Sequence, residues 1–152
     1  MITVKKTAAS DFPRLAIIYR DGFNEPPYNE GWTSGQTLDK LKLFSKYCEV
    51  FSILYDKELA GFLVLNPNLW KPGEVMFGEE MAVDKNFRGR GIGTFMMNWM
   101  VDYAKSRGFK RVMFFSNNKS GAYKLYNKLG FSKSDEVEVF SKELNQKNRV
   151  LK

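Results

Sequence analysis

The residues best suited to chemistry lie in a glycine- and arginine-rich turn, residues 88–94 (RGRGIGT), that follows an apolar, strand-like run. A segment with helical periodicity begins directly after this turn. Glycines allow the backbone to approach a ligand closely, and the first amides of a helix have no partner within that helix. The helix dipole adds roughly half a positive charge at the same end. The turn is therefore predicted to hold a phosphate or pyrophosphate group.

Two common nucleotide-binding motifs do not fit this turn. A phosphate-binding loop of the Walker A type needs Gly-Lys-Ser/Thr after its second glycine, and that sequence is missing. A dinucleotide fingerprint needs Gly-x-Gly-x-x-Gly, whereas Gly89, Gly91 and Gly93 alternate and Met96 follows. The pattern that remains is Arg88-x-x-Gly91-x-Gly93. Taken by itself, the turn also fits an ordinary helix cap with two solvated arginines.

The composition limits the protein class. The chain has 152 residues, 43% of them apolar and 27% charged, which predicts one globular domain over residues 1–144 and a polar, basic tail over 145–152. No apolar run has membrane-spanning length and the first residues do not have a signal-peptide layout, so a cytoplasmic location without membrane partners is expected. The single cysteine, Cys48, fits a reducing compartment.

The chain contains no histidine. This excludes Ser-His-Asp and Cys-His machinery and leaves too few soft ligands for a usual zinc site, so no metal is expected. Proton transfer must use Glu, Asp, Tyr, Lys, a backbone group or water. The net charge of +7 comes from lysines and arginines scattered along the chain rather than gathered in one stripe. We therefore expect a solvated basic surface rather than a nucleic-acid partner.

Hydrophobic periodicity predicts the element order β-α-α-β-β-β-α-β-α-β. Gly22 is expected to end the first helix, Thr33-x-x-Gln36 has capping-box spacing before the second, and Gly78 marks a bulge or close approach in the strand before the turn. Residues 137–140 are predicted to form the last strand. The order indicates an α/β fold with one mixed sheet, in which residues 74–116 form a right-handed parallel β-α-β crossover.

A second pattern follows at residues 118–131 (NKSGAYKLYNKLGF), with an Asn-led turn, a helix carrying Leu-Tyr, and Leu-Gly-Phe at its end. Together with the Arg88 turn, in this order, it resembles the two signatures of the GNAT superfamily of N-acyltransferases. The resemblance implies a mixed, mostly antiparallel sheet flanked by about four helices. It also implies acetyl-CoA as cosubstrate. The cofactor-binding positions that it indicates are Met81, Ala82, Val83, Arg88, Gly89, Arg90, Gly91, Ile92, Gly93, Thr94, Asn118 and Tyr123.

The chemistry of acyl transfer to an amine requires a base. A primary amine has a pKa near about 10, so it is protonated at neutral pH and cannot attack a thioester until it loses a proton. Without histidine, Glu79 and Glu80 are the candidates, and in a regular strand their side chains face opposite ways. Resemblance to polyamine-acetylating members places Glu79 first, and the residues themselves leave the choice open.

The departing thiolate requires a proton donor. Tyr126 occupies the usual general-acid position of the family that the chain resembles, and Tyr123 on the same helix is the alternative. A phenol can donate its proton without first being charged.

The acceptor is predicted to be the amine of a small cationic molecule, with a protein N-terminus or lysine as the alternative. A module that binds acyl-CoA without catalysis is the alternative outside the enzymes. The short stretch between Phe131 and Val137 suggests an acceptor side that is open or completed by a second subunit of a homodimer. Acidic and aromatic residues are expected to form the acceptor cleft: Glu25, Glu30, Glu79 and Glu80, with Tyr28 and Trp32 as substrate-binding residues.

Overall fold

A computed structural model describes residues 1–144 of the chain. The predicted tail, 145–152, lies outside the described residues. Short 3-10 turns at Ala9–Asp11 and Lys85–Phe87 precede the first helix and the glycine turn. The strands and helices are, in order, β1 (Ile2–Lys6), α1 (Phe12–Asn24), α2 (Ser34–Tyr47), β2 (Glu49–Tyr55), β3 (Glu58–Asn66), β4 (Val75–Val83), α3 (Ile92–Ser106), β5 (Arg111–Phe114) and α4 (Ala122–Lys128).

The five strands form one sheet in the order β1-β2-β3-β4-β5. Neighbours are antiparallel except β4 and β5, which are parallel and are connected through α3. The prediction of an α/β fold with a mixed, mostly antiparallel sheet and four flanking helices is confirmed for this part of the chain. Within residues 1–144, every helix is too short or too polar to cross a membrane.

The sheet has a separate apolar core on each face. On one face, Met96, Met97 and Met100 of α3 are buried against side chains of β2 and β3. On the other face, Leu15 and Tyr19 of α1 pack with α2 against the opposite side of the same strands. The predicted capping box at the start of α2 is present, because Thr33 Oγ1 accepts from the Gln36 amide at 3.1 Å and Gln36 Oε1 accepts from the Thr33 amide at 2.9 Å.

Strand β4 is irregular where the candidate catalytic residues begin. Val64 pairs with Glu80 and Leu65 with Gly78, so Glu79 is an extra residue, a bulge, in β4. The predicted close approach at Gly78 is also found, because a Cβ there would lie 3.3 Å from Phe114 Cβ. The bulge changes the direction of the strand just before it reaches the glycine turn.

The parallel pairing of β4 with β5 ends early. Its last pair is Gly78 with Phe114, and beyond it the β5-facing edge of residues 79–83 has no strand partner in the described structure. The sheet therefore opens between β4 and the segment that leads to α4. Backbone N–H and C=O groups along this edge are available to a ligand.

Two local predictions were wrong. Helix α1 does not end at Gly22 but continues to Asn24, and Gly22 faces β4, where a Cβ would be in ordinary van der Waals contact with Ala82 Cβ at 3.6 Å. Residues 137–140 form no strand. A cavity of about 490 Å³ separates residues 132–139 from β5, so no ladder forms, and Phe140 remains 92% exposed.

We predict that Gly61→Ala destabilises the fold. A Cβ at this position in β3 would lie 2.5 Å from the Ala82 carbonyl oxygen, which belongs to the backbone and cannot move without displacing β4. The free energy of unfolding, measured by urea denaturation, should fall by about 1–3 kcal/mol. Gly35→Ala in α2 is the control, because its Cβ would meet only Thr33 Oγ1 at 3.9 Å. Equal stabilities of the two variants would contradict the prediction.

Candidate active site

The glycine turn has the backbone geometry that an anion site requires. Gly89 and Gly91 have φ angles of 77° and 79°, in the left-handed region that favours glycine, and α3 begins at Ile92 immediately afterwards. The turn is fixed at its start by Asp84, which is buried. Asp84 accepts a hydrogen bond from the Asn86 amide at 2.9 Å and is paired with Arg14. The first amides of α3 are thus held in a defined position.

A groove of about 470 Å³ runs from this turn along the open edge of β4. Its walls are the end of β4, the start of α3, the start of α4 and the segment after α1. Gly93 at the start of α3 faces Leu125 of α4 across the groove, and a Cβ there would lie 3.6 Å from Leu125 Cδ2, at ordinary van der Waals distance. Nine of the predicted cofactor-binding residues line the groove: Met81, Ala82, Val83, Arg88, Gly89, Gly91, Ile92, Gly93 and Thr94.

Three predicted cofactor-binding residues lie elsewhere. The guanidinium of Arg90 stacks over the rings of Tyr55 and Phe87, 5.1 Å from each centroid. Asn118 and Tyr123 line the cavity of about 490 Å³ on the other side of α4. Tyr123 lies on a face of α4 that does not reach the groove, and Asn118 lies in the turn before that helix, so the path of the turn and the rotation of α4 decide their positions.

The structure adds groove residues that sequence reasoning missed. Ser120, Gly121 and Ala122 enter from the start of α4, and Ser120 Oγ is buried without a hydrogen-bond partner among the described residues. The opposite wall comes from the end of α1 and the segment after it. Nothing in the local sequence distinguishes these residues from an ordinary helix end and loop. The missed residues of that wall are Gly22, Phe23, Pro26 and Pro27, whereas Glu25, which was expected in the acceptor cleft, lines the groove instead.

A second, smaller cavity of about 90 Å³ adjoins the groove. It contains both candidate bases, Glu79 and Glu80, and aromatic side chains form part of its wall. Four residues line both spaces: Phe23, Tyr28, Met81 and Tyr126. A group bound in the groove and a group bound in the acidic cavity would therefore meet beside Tyr126.

Glu80 is the perturbed carboxyl of the site. Burial raises its pKa to about 7, while a hydrogen bond from Tyr19 opposes that rise. Tyr19 Oη donates to Glu80 Oε2 at 2.9 Å, and burial raises the pKa of the Tyr19 phenol itself, so Tyr19 remains a donor. Glu80 can therefore exchange a proton near neutral pH, as a histidine does in other sites.

Glu79 has different surroundings. It lies at the bulge and accepts a hydrogen bond from Asn66 Nδ2 at 2.9 Å. The expectation that only one of the two residues reaches the cleft assumed a regular strand. The bulge removes that regularity, and both residues line the acidic cavity.

Tyr126 lies where the two spaces meet. Burial, chiefly, raises the pKa of its phenol to about 12, with contributions from Tyr28 and Glu80, so the hydroxyl keeps its proton at neutral pH. The ring packs edge-on against Phe114, with centroids 4.7 Å apart. This contact fixes the position of the hydroxyl relative to the end of β5.

The two predicted acceptor residues are in different places. Tyr28 packs against Phe23, with centroids 4.9 Å apart, and lines both spaces. Trp32 lines neither of them. Its ring packs on Tyr19 at 5.2 Å and its Nε1 donates to Glu30 at 2.7 Å, so it supports the residue that holds Glu80.

We predict that wild type loses stability relative to Glu80→Gln as pH rises from about 4.5 to about 7. The folded carboxyl keeps its proton up to about pH 7, whereas its ordinary pKa is 4.5, so in this window the folded state binds more protons than the unfolded state. The difference in free energy of unfolding between wild type and Glu80→Gln should change by about 3 kcal/mol across this window and then level off. Urea denaturation across this pH range measures it. A constant difference would show that Glu80 titrates normally.

Comparison with known proteins identifies the family. The model of the Acetyltransferase (GNAT) family matches residues 14–131. An uncharacterised N-acetyltransferase of Methanocaldococcus jannaschii is 41% identical over 66 residues, which are 43% of this chain and 29% of that protein. The alignments span about a third of the length of the curated relatives that the chain matches.

Solved structures share the fold at low sequence identity. A possible acetyltransferase from Clostridium difficile 630 superimposes with a TM-score of 0.78 at 11% identity, over 95% of this chain and 99% of that one. An aminoglycoside N-acetyltransferase in complex with CoA gives a TM-score of 0.72 at 14% identity, over 95% and 96% of the two chains. The family match covers both the glycine turn and the helix that carries Tyr126. The chain therefore belongs to the GNAT family of acetyltransferases.

Proposed function

We propose that this protein transfers the acetyl group of acetyl-CoA to the primary amine of a small cationic molecule, by direct attack within a ternary complex. The observation that carries the proposal is the meeting of the groove and the acidic cavity at Tyr126, with Glu80 in the cavity wall. A donor in one space and an amine in the other would have a base and an acid beside their point of contact. Family membership supports the same reaction class.

The groove is suited to the donor. The first amides of α3 and the backbone of residues 89–94 would bind the pyrophosphate, with Arg88 adding a positive charge. The open edge of β4 would pair with the amides of the pantetheine arm, as a strand pairs with its neighbour. The unpartnered hydroxyl of Ser120 supports a polar ligand in this groove. The solved aminoglycoside acetyltransferase with this fold holds CoA.

We assign the base to Glu80 rather than to Glu79. A base that takes a proton from an ammonium group must be ionised in a good fraction of molecules at neutral pH, and its pKa must be high enough for it to accept the proton. A pKa of about 7 meets both requirements. Tyr19 keeps the carboxyl oriented, because its hydroxyl donates to Oε2.

The remaining roles follow from position. The neutral amine attacks the thioester carbonyl, a C–N bond forms, and negative charge develops on the carbonyl oxygen. Backbone amides at the open edge near Met81 would stabilise that charge. The C–S bond then breaks, and Tyr126 would donate its proton to the leaving thiolate. Glu80 takes the proton that the ammonium group loses before the attack and passes it to solvent. The nitrogen loses a second proton once the C–N bond has formed, and this proton restores the phenol of Tyr126 through solvent, so the net products are the amide, free CoA and one released proton.

The acidic cavity supports a slender cationic acceptor. Its volume is about 90 Å³, which accommodates an alkylammonium end rather than a bulky group. Two carboxyls supply negative charge, and Tyr28 and Phe114 supply aromatic walls that attract a cation. The relative with an aminoglycoside substrate supports a polycationic acceptor of this kind.

A panel of acceptors tests the proposal. The protein would be incubated with acetyl-CoA and with diamines, polyamines, aminoglycosides or peptides that carry a free N-terminus or a lysine, and thiol release would be followed together with the mass of the acetylated product. Turnover with the small polycations is expected to exceed turnover with the peptides. Preference for peptides would favour the protein-acetyltransferase alternative. CoA binding without turnover on any amine would indicate that the protein is a module that binds acyl-CoA without catalysis.

We predict that Glu80→Gln lowers kcat/KM by about a hundredfold or more, the usual contribution of a positioned base. The wild-type kcat/KM should rise with pH through an inflection near 7, where Glu80 ionises, and Glu80→Gln should lose that inflection. Glu79→Gln is the matched control, because it changes the neighbouring carboxyl to the same amide. A larger loss for Glu79→Gln than for Glu80→Gln would transfer the role of base to Glu79.

We predict that Tyr126→Phe lowers kcat by about tenfold to a hundredfold while the Kd for acetyl-CoA changes less than about twofold. The substitution keeps the ring contact with Phe114 and removes only the hydroxyl that would protonate the thiolate. Steady-state kinetics and calorimetry separate the two effects. Tyr123→Phe, on the far side of α4, is the control and should leave kcat unchanged. An unchanged kcat in a folded Tyr126→Phe protein would remove the general-acid role.

A further inference from the structure

The segment after α1 places a carboxylate across the groove from the glycine turn. Glu25 Oε1 lies 2.6 Å from Arg88 Nη2, and the two side chains come from opposite walls, 38% and 45% exposed. Glu25 is the first residue after α1, and Arg88 is the residue after the 3-10 turn at Lys85–Phe87. The pair therefore bridges the groove beside the first amides of α3.

This pair cancels the charge of the groove. Among the described residues that line it, Arg88 is the only cation and Glu25 the only anion. Arg90, the other arginine of the turn, is stacked on Tyr55 and Phe87 instead. An anion that enters the groove meets an arginine already paired and a carboxylate of like charge beside it.

We propose that Glu25 is an internal competitor of the donor: it occupies Arg88 when the groove is empty and must be displaced by the pyrophosphate of acetyl-CoA or CoA. The inference rests on the proposed function, since it assumes that a CoA-type ligand uses this groove. Arginine forms stronger, forked hydrogen bonds with phosphate than a half-exposed ion pair with one oxygen contact provides. The exchange therefore favours the ligand while lowering its net affinity.

Backbone hydrogen bonds, rather than the carboxylate of Glu25, stabilise the segment after α1. The backbone carbonyl of Glu25 accepts hydrogen bonds from the amides of Tyr28 and Asn29, at 3.1 and 3.2 Å, and the Glu30 amide donates to the Phe23 carbonyl at 2.9 Å. Because these hydrogen bonds join backbone atoms only, changing the Glu25 side chain to an amide is expected to leave them in place. Glu25→Gln is therefore expected to fold normally, so that its effect on binding can be measured cleanly.

The competition acts equally on substrate and product. Acetyl-CoA and CoA carry the same pyrophosphate, so displacement of Glu25 costs both ligands the same free energy. A carboxylate that weakens donor binding also weakens the retention of free CoA after transfer. Glu25 would thus raise the rate of product release at the expense of donor affinity.

The test is calorimetric titration of CoA, acetyl-CoA, adenosine diphosphate and pantetheine into wild type and Glu25→Gln. The Kd for CoA and acetyl-CoA should fall by the same factor, about two- to fivefold, which is the range of an exposed ion pair. Adenosine diphosphate, which has the pyrophosphate without the arm, should show the same factor. Pantetheine, which has the arm without the pyrophosphate, should have the same Kd in wild type and in Glu25→Gln.

Two further variants make the assignment specific. Glu30→Gln removes the same charge from the same segment, but Glu30 lies outside the groove and accepts from Trp32, so its CoA affinity should match wild type. In a protein that already carries Arg88→Met, adding Glu25→Gln should no longer increase the affinity for CoA. A gain that persists there would mean general repulsion rather than competition for Arg88 and would overturn the inference.

The remaining outcomes separate the inference from the proposed function. Weaker or unchanged CoA binding by Glu25→Gln, in a protein whose wild type binds CoA and transfers acetyl groups, overturns the inference alone. Wild type that binds no CoA overturns the proposed function and the inference together.

Discussion

The early end of the parallel pairing between β4 and β5 is the constraint on which the rest of the structure depends. The last pair joins Gly78 and Phe114, and the absence of a side chain on Gly78 permits their close approach. Beyond this point the strands separate and the edge of β4 is left for a ligand. Backbone groups that lose a strand partner require another hydrogen-bond partner, so a sheet that opens between its last two strands favours an extended polar molecule in the gap.

The bulge at Glu79 determines how the acids are placed around that gap. A regular strand would send Glu79 and Glu80 to opposite faces of the sheet. With one extra residue in β4, both reach the same cavity, each with its own hydrogen-bond donor: Asn66 for Glu79 and Tyr19 for Glu80. Burial beneath the aromatic side chains of α1 then raises the pKa of Glu80 to about 7. A chain without histidine thus obtains a group that titrates near neutrality through desolvation of a carboxyl.

The groove proposed for the donor combines a glycine turn that is fixed by buried contacts with an ion pair between side chains that can separate. The glycine turn is anchored by the buried Asp84, which joins the end of β4 to Arg14 of α1. The ion pair between Arg88 and Glu25 is half-exposed and depends on one side-chain contact across the groove. In the proposed function, backbone amides fixed by the fold would bind the pyrophosphate, and the reversible contact between Arg88 and Glu25 would set how strongly it is held.

The amino-acid sequence by itself determined the local features. The left-handed turn at Gly89 and Gly91, the cap at Thr33 and the buried face of α3 follow from steric and periodic rules that act within a few residues. For this reason, most of the predicted cofactor-binding residues lie along the groove and both candidate acids lie in one cavity, and the element order up to α4 was predictable. The strand expected at residues 137–140 was not formed, because a strand requires a neighbouring edge at pairing distance as well as a suitable pattern.

Only the tertiary structure decided which side chains share a space. Arg90 faces Tyr55 and Phe87, Asn118 faces away from the groove, and Trp32 supports Tyr19 instead of lining the acidic cavity. Each of these outcomes depends on the rotation of a helix or the path of a loop relative to strands distant in sequence. The pKa of Glu80 has the same origin, because desolvation depends on every element packed around the carboxyl. Local pattern determines which residues can do chemistry, and long-range packing determines which of them meet.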